Sequence, residues 1–526
     1  TETELVIEPG EQKALPIDVV YHDKFKIKPQ METKFNWSNE CLDWKTLMRG
    51  GIPLQCSSIG SGELSSYFFQ AEAQYLETEP LAKIYPHLTV VISAPLEIEN
   101  FLPFDFNFRL YDKTTKRDWN GTVAKGKSSF IQVVTLQSLL LLSVEPLGCG
   151  FGKSEFAIIN TLKETGFKRE ISTSVKNENG QTVKLRMYYP KNQASKTSLK
   201  VVIYSPYVIL NRTGQNLQVK ENRRYSQVVS IGSQGEEKTP HIFSFDKDGD
   251  HLERALAKLG ESQWSTPLSF DAIGQVTGMA VQIPGKNSEK NFGVSIAEGE
   301  GKYNLTKVIT FAPRYVMRNC LEEPLLIAEN GSTKQFQIGQ GELFPLYNLR
   351  RSDQKTMILK FAREGRSWSS PFAINDIGQI FLKAQKESAG QVLLKVNIIT
   401  ENATIFVQIE NANNAWPFSI RNFTDSEFYL YQSNPNINLN GEIVKKDVDY
   451  KPIYYKVPAK SVMPYSYDYP NAVVKEVVIR SHGRERSINL AEIGNLKPFR
   501  LPQTSDQEQA IVDLNVVADG PTQSLV

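Results

Sequence analysis

Cysteine and histidine are scarce in this chain of 526 residues, with four of the first and five of the second. Cys41, Cys56, Cys149 and Cys320 show no paired spacing. A secreted array of β-sandwiches more often carries one cysteine pair per domain. No cluster of histidine and cysteine is visible, so neither a structural zinc site nor a cofactor is expected. A charge of one sign is missing too. Sixty Lys and Arg stand against 58 Asp and Glu, for a net charge of +2, which provides no global field to hold nucleic acid or anionic lipid. The most apolar stretch, Phe130 to Val144, is interrupted by Gln132, Thr135, Gln137, Ser138 and Ser143 and is too short to span a bilayer. The chain opens Thr1-Glu-Thr-Glu without methionine or signal peptide; we expect it to be part of a larger, cytoplasmic protein, not inserted in a membrane.

What is present is a repeat. Four asparagines close similar phrases: Pro95-Leu-Glu-Ile-Glu-Asn100, Pro206-Tyr-Val-Ile-Leu-Asn211, Pro313-Arg-Tyr-Val-Met-Arg-Asn319 and Pro417-Phe-Ser-Ile-Arg-Asn422. Their spacings are 111, 108 and 103 residues. Six and eight residues after each, an apolar alternation resumes: Phe106/Phe108, Leu217/Val219, Leu325/Ile327 and Phe428/Leu430. A period of two marks a strand with one buried face, so each asparagine falls at a connection between strands.

A second motif keeps the same period. Trp37-Ser38, Trp264-Ser265-Thr-Pro267 and Trp368-Ser369-Ser-Pro371 share a signature, and Gly274 and Gly378 follow the last two at one spacing. Ile488-Asn-Leu-Ala-Glu-Ile-Gly494 closes the series. Phe151-Gly-Lys-Ser154-Glu-Phe-Ala-Ile158 stands where the missing copy belongs. The expected fold is all-β, a tandem array of β-sandwich modules of about 100 residues. The boundaries read as an incomplete unit over 1–87 and full units over 88–204, 205–312, 313–415 and 416–526. No Gly/Ser-rich or Pro-rich linker separates them, so a rigid arc is expected. Leu252-Glu-Arg-Ala-Leu-Ala-Lys-Leu259 reads as the best short helix, and Leu15-Pro-Ile17 as a strand after the turn Glu8-Pro-Gly-Glu11.

Motifs with chemical associations are few. Gly148-Cys-Gly-Phe-Gly-Lys-Ser154 resembles a phosphate loop, yet a strand-like Phe156-Ala-Ile-Ile159 follows it where a helix is needed. Asp246-Lys-Asp-Gly-Asp250 has calcium-loop character without a glutamate at the twelfth position. No serine-nucleophile elbow or metalloprotease helix occurs, and an enzyme is not expected. Seven Asn-x-Ser/Thr sequons (Asn36, Asn120, Asn211, Asn304, Asn330, Asn402 and Asn422) support an extracellular adhesion or carbohydrate-binding array as the rival reading.

Two roles stay open for the repeat asparagines: shaping the strand-to-strand bend, or touching a ligand. In the last unit five tyrosines crowd into sixteen residues, Tyr454, Tyr455, Tyr465, Tyr467 and Tyr469. They suit a surface for extended peptides or a packed corner.

The Pro-x-x-Ile/Val-x-Asn phrases, the Trp-Ser-x-Pro-Phe strands, Pro464-Tyr-Ser-Tyr-Asp-Tyr-Pro470 and Val516-Val-Ala-Asp-Gly-Pro-Thr-Gln-Ser-Leu525 form an ordered set. Together they resemble the adaptor-binding region of the vacuolar-protein-sorting thirteen family of bridge-like lipid-transfer proteins, across essentially the whole chain. The resemblance implies an arc of asparagine-bearing β-sandwiches. Such a region captures Pro-x-Pro peptides of membrane-anchored adaptors and so recruits the lipid-transfer rod to organelle contact sites. It carries over Asn100, Asn211, Asn319 and Asn422, and places the groove in Pro313 to Val526. Asn319, Asn422, Tyr454, Tyr455, Tyr465 and Tyr467 are the candidates to bind the peptide or shape its groove. The expected mechanism is strand addition at an exposed edge where units four and five meet, with affinity around micromolar. The family usually has six units against four complete ones counted here, and tends to carry tryptophan where this chain has Tyr467.

Overall fold

The computed structural model of the chain describes residues 2–16, 19, 23–60, 65–75, 80, 84, 88–161, 168–190, 197–232, 239–246, 253–387, 390–437, 443–446, 448–502 and 509–526. Strand dominates. The named helical elements among these residues are the four-residue α-helix Trp44–Leu47 and the 3-10 turn Gly301–Tyr303.

The fourth unit shows how the repeat is built. One sheet runs Leu343–Leu346, Tyr315–Asn319, Thr404–Asn411, Gln391–Glu401, Gly378–Gln385; the other runs Gln335–Ile338, Leu325–Glu329, Thr356–Phe361, Phe372–Ala373. Alternation drives the two-layer arrangement. Thr404–Asn411 buries Ile405, Val407 and Ile409, while Thr356–Phe361 buries Met357, Leu359 and Phe361, and these rows meet in one core. Burying a side chain of this size contributes about 1.5–3 kcal/mol, so slipping either strand by one residue would turn its whole apolar row outward.

Units two, three and five repeat this strand order. In each, the strand ending at the asparagine lies parallel to the last strand of the same unit. Asn100 pairs with Ile203, Asn211 with Phe311 and Asn319 with Ile409, and Ile420 pairs with Leu525 in the fifth. The first and last strands thus close each sandwich, and a parallel pair needs the whole intervening chain as its crossover. That accounts for the period of about 100 residues.

The sheet of the first unit comprises Ile52–Ser57, Ser66–Tyr75 and Leu88–Ser93 over a small core of Leu42, Leu47, Leu54 and Ala71. Leu88–Ser93, set at the head of unit two by the repeat spacing, pairs with Ser66–Tyr75 instead. Leu15 and Pro16 lie outside any strand, and Ile17 is outside the described residues.

One expectation is corrected outright. The residues read as a helix contain the strand Ala255–Leu259, with Ala255, Ala257 and Leu259 buried against Leu217–Glu221. Alanine and leucine favour helix, but the period-two burial prevails because the strand pairs along Leu217–Glu221 and turns its apolar row into the core. Leu252 lies outside the described residues, as do 247–250 of the acidic turn.

Candidate functional site

Each repeat asparagine sits at the corner where the chain leaves one sheet for the other. Its side chain is used up by the backbone. Asn319 is fully buried; its Nδ2 donates to Glu323 O at 2.9 Å and Ile338 O at 3.1 Å, while Oδ1 accepts from Leu321 N–H at 2.9 Å. Asn100 repeats the pattern with Phe104 O, Val123 O and Leu102 N–H. Asn211 does so with Gln215 O, Ile231 O and Thr213 N–H, and Asn422 with Ser426 O, Pro458 O and Thr424 N–H. The amide ties the outgoing crossover to the returning one. Its two N–H bonds are both committed, so these side chains shape the corner. The same bonds occupy Asn211 and Asn422 as sequons, and all four cysteines are free.

The serine motif is equally regular. Ser265 N–H donates to Ala257 O at 2.8 Å, and Ser265 Oγ accepts Ala257 N–H at 3.0 Å. Ser369 does the same with Leu359, Ser154 with Val144 and Ser38 with Ile27. Ser154 of the phosphate-loop resemblance is therefore a strand-pairing serine, and Ala157–Asn160 follows as a strand. Beside three of these serines a lysine Nζ lies 4.3–4.8 Å from the tryptophan ring: Lys28 on Trp37, Lys220 on Trp264 and Lys360 on Trp368.

The tyrosines divide. Tyr465 and Tyr467 are buried and belong to the core of unit five, and Tyr467 Oη donates to Lys475 O at 3.1 Å. Tyr455 is partly buried and its Oη donates to Asp468 Oδ1 at 2.6 Å. Tyr454 is 51% exposed and packs against Tyr431 with ring centroids 4.9 Å apart and the rings tilted by 55°. The structure therefore brings three of the four candidate tyrosines into a packed corner and leaves Tyr454 on the surface.

The sequence reading missed the residue that organises this corner. Lys383, on the terminal strand Gly378–Gln385 of unit four, reaches into unit five. Its Nζ meets Asp468 Oδ1 at 2.8 Å and Tyr455 Oη at 2.9 Å, and lies 4.6 Å and 5.3 Å from the ring centroids of Tyr455 and Tyr465. Burial lowers the pKa of Lys383 while Asp468 opposes the shift. Burial, with Asp468 adding to it, raises the Tyr455 hydroxyl well above its ordinary range. The only sequence signal was a lysine inside an alternating strand, which solvated faces also carry.

Two further features lie in the last three units. At the corner beside Asn422 an apolar cavity of about 320 Å³ is lined by Ile420, Phe428, Leu430, Val457, Leu514 and Leu525. At the junction of units three and four the chain adds a strand to its own neighbour: Asn348–Arg350 of unit four pairs antiparallel with Ser288–Lys290 of unit three. Tyr347 O extends the contact by accepting Asn291 N–H at 2.8 Å. Counting register from the asparagine pairings, Gln391 and Val392 of unit four correspond to Glu289 and Lys290. Among the described residues no strand is added to them on that side. Nor do the described residues contain a helix long and apolar enough to cross a membrane, or a cluster of metal-ligating side chains.

Comparison with known proteins gives a consistent family. The family model described as "Vacuolar-sorting associated protein 13, adaptor binding domain" matches residues 1–474. The intermembrane lipid transfer protein VPS13 of Chaetomium thermophilum is 38% identical over 99% of this chain and 16% of its own length. The intermembrane lipid transfer protein vps13E of Dictyostelium discoideum is 21% identical over 99% of this chain and 13% of its own. Mouse VPS13A is 23% identical over 69% of this chain and 11% of its own. The chain spans less than a fifth of the length of these curated relatives.

Proposed function

The chain belongs to the family of vacuolar-sorting associated protein 13 adaptor binding domains, and from that premise we propose how it captures its adaptors. A short Pro-x-Pro segment of an organelle-anchored adaptor adds as a strand at the junction of units four and five. By that contact the protein carrying this chain is recruited peripherally to membrane contact sites, where it moves lipid. This segment itself takes no part in bilayer insertion or catalysis.

One observation carries the reading: the chain already performs the reaction on itself. Three residues, Asn348–Arg350, lie on the strand end Ser288–Lys290 of the preceding unit, and the matching strand end at Gln391 and Val392 carries no such segment among the described residues. Strand addition supplies main-chain hydrogen bonds, and pockets on alternate residues supply selectivity. Proline at two of three positions removes two N–H donors but fixes φ near −65°, so the segment arrives extended and loses less entropy on binding. The central residue keeps the N–H that pairs. Asn319 and Asn422 act through the corners they fasten, and Lys383, Asp468 and Tyr455 hold the two units in register across the site.

The test is fluorescence anisotropy with three labelled peptides: Pro-x-Pro, its Ala-x-Ala counterpart, and a Pro-x-Pro peptide N-methylated at the central residue. Saturable binding in the micromolar range, weakened by both changes, is the expected result. Equal binding of the N-methylated peptide would sink strand addition. No binding of the parent peptide to the folded chain would sink the Pro-x-Pro assignment.

A further inference from the structure

The junction of units three and four holds a second cleft, separate from the proposed adaptor site. It has a volume of about 790 Å³, within the usual range for ligand sites. Its floor is Gly278, Met279 and Ala280 of the strand Val276–Gln282 together with Glu289 and Asn291; its walls are Arg314, Tyr315 and the 351–355 segment of unit four. Val276–Gln282 is the terminal strand of its sheet, so among the described residues one side of it has no strand partner.

The cleft exists because two floor residues are small. In register, counted from buried Met279 and its counterpart Leu382, Gly278 corresponds to Phe381 and Ala280 to Lys383. At the junction of units four and five Lys383 fills the space and bonds across it; at this junction alanine leaves it vacant. Arg314 lies flat over Gly278, where a Cβ would come within 2.7 Å of its Nε. One of its guanidinium nitrogens is anchored to Ala403 O at 3.1 Å. Glycine at 278 thus lets the guanidinium rest directly on the strand, and a larger residue there would displace it.

The charge inside is unbalanced in one direction. Lys355 and Glu289 pair with each other, both largely buried, and Lys355 also donates to Arg350 O at 2.9 Å. That pair is internally neutral. Arg314 and exposed Arg351 remain, with Asp353 as the one other acidic residue lining the cleft among the described residues. Few apolar groups are offered, while guanidinium forks and an unpartnered strand edge are.

We propose that this cleft binds an extended acidic peptide, its backbone along Val276–Gln282 and its carboxylates on Arg314 and Arg351. Arginine presents a planar fork that carboxylate matches in two bonds, and the strand edge selects an extended chain over a compact anion. The site therefore gives the protein a second, acidic class of ligand that does not compete with Pro-x-Pro segments.

The intact chain is titrated with a labelled eight-residue peptide of alternating aspartate and valine, with a lysine–valine peptide and inorganic phosphate as controls. Two variants accompany it: Ala280→Lys, which reproduces the filled junction, and Arg351→Glu. Both positions are exposed, and circular dichroism confirms the fold. The expected result is saturable binding of the acidic peptide alone, weakened about tenfold or more by each variant, with Pro-x-Pro binding unchanged. Equal binding of acidic and basic peptides, equal competition by phosphate, or undiminished affinity in Ala280→Lys would each overturn the proposal. Loss of Pro-x-Pro binding alone would count against the adaptor reading and leave this site standing.

Discussion

Lys383 of the fourth unit and Asp468 of the fifth meet at 2.8 Å with side chains only 10% and 7% exposed. A buried ion pair gains little net stability over an apolar pair of the same shape, but removing one member strands the other. Lys383 here also bonds Tyr455 Oη and faces two aromatic rings, an arrangement with one orientation. We read the pair as fixing the angle between the two units across the proposed adaptor junction.

Lys383→Met alone should therefore loosen unit five by about 3–5 kcal/mol, because the Asp468 carboxylate is left buried without a cation. Lys383→Met with Asp468→Leu should recover most of that loss. Hydrogen exchange along Gly378–Gln385 and Ser461–Tyr465 would read both outcomes. A single variant as protected as the parent would remove the pair from any structural role.

Asn319→Ala should destabilise unit four by about 2–5 kcal/mol, since Glu323 O, Ile338 O and Leu321 N–H lose their shared partner in a buried corner. Asn319→Asp should be no milder despite its shape, because a carboxylate oxygen would face two carbonyl oxygens. The Asn422 pair of variants should behave alike and weaken Pro-x-Pro capture in step. Unit-resolved hydrogen exchange is the measurement. Full affinity in a well-folded Asn422→Ala chain would show that the corner is dispensable for binding.

His241 links units two and three, with Nε2 3.0 Å from Gln181 Oε1, and burial pulls its pKa down to about 4. In the unfolded chain histidine titrates near its ordinary value of about 6.5. The unfolded chain then binds more protons between these values, so stability is full above about 6.5 and falls as the pH drops towards 4. The loss amounts to at most about 3 kcal/mol. Melting temperatures from pH 7.5 to 4.5 should fall less in His241→Gln than in the parent.

Gly293→Ala tests how tightly units three and four are joined. A Cβ there would lie 2.3 Å from Ala403 O and 2.6 Å from Ala403 Cβ, so the two units must part. A cost of about 1–3 kcal/mol is expected, seen as faster proteolysis near Pro313. Unchanged proteolysis would mean that the contact gives way without cost.

Ser154→Ala should lower stability by about 1 kcal/mol through the lost bond from Val144 N–H, with no effect on nucleotide binding. Equilibrium dialysis with a nucleoside triphosphate distinguishes this from a phosphate-loop role, in which the parent would bind and the variant would not.

The all-β class, the period and the corner asparagines were legible in the chain because they are local. Period-two burial at Phe106/Phe108 or Leu325/Ile327 needs only neighbours in sequence, and an asparagine that bonds residues two and four positions on announces its bend. Where tertiary pairing outweighed local preference, the reading failed: Ala255–Leu259 has the composition of a helix but completes a sheet. The tyrosine segment was visible as a feature, yet which rings face inward depends on how unit five meets unit four. The two junctions belonged wholly to tertiary structure. Lys383 and Ala280 occupy matching places on matching strands, and nothing in their sequence neighbourhoods says that one bridges two units and the other leaves a cleft. Sequence alone determined the repeating sandwich, because burial periodicity is a property of each strand; only the packing of successive units decided where a ligand could enter, because that depends on surfaces far apart in the chain.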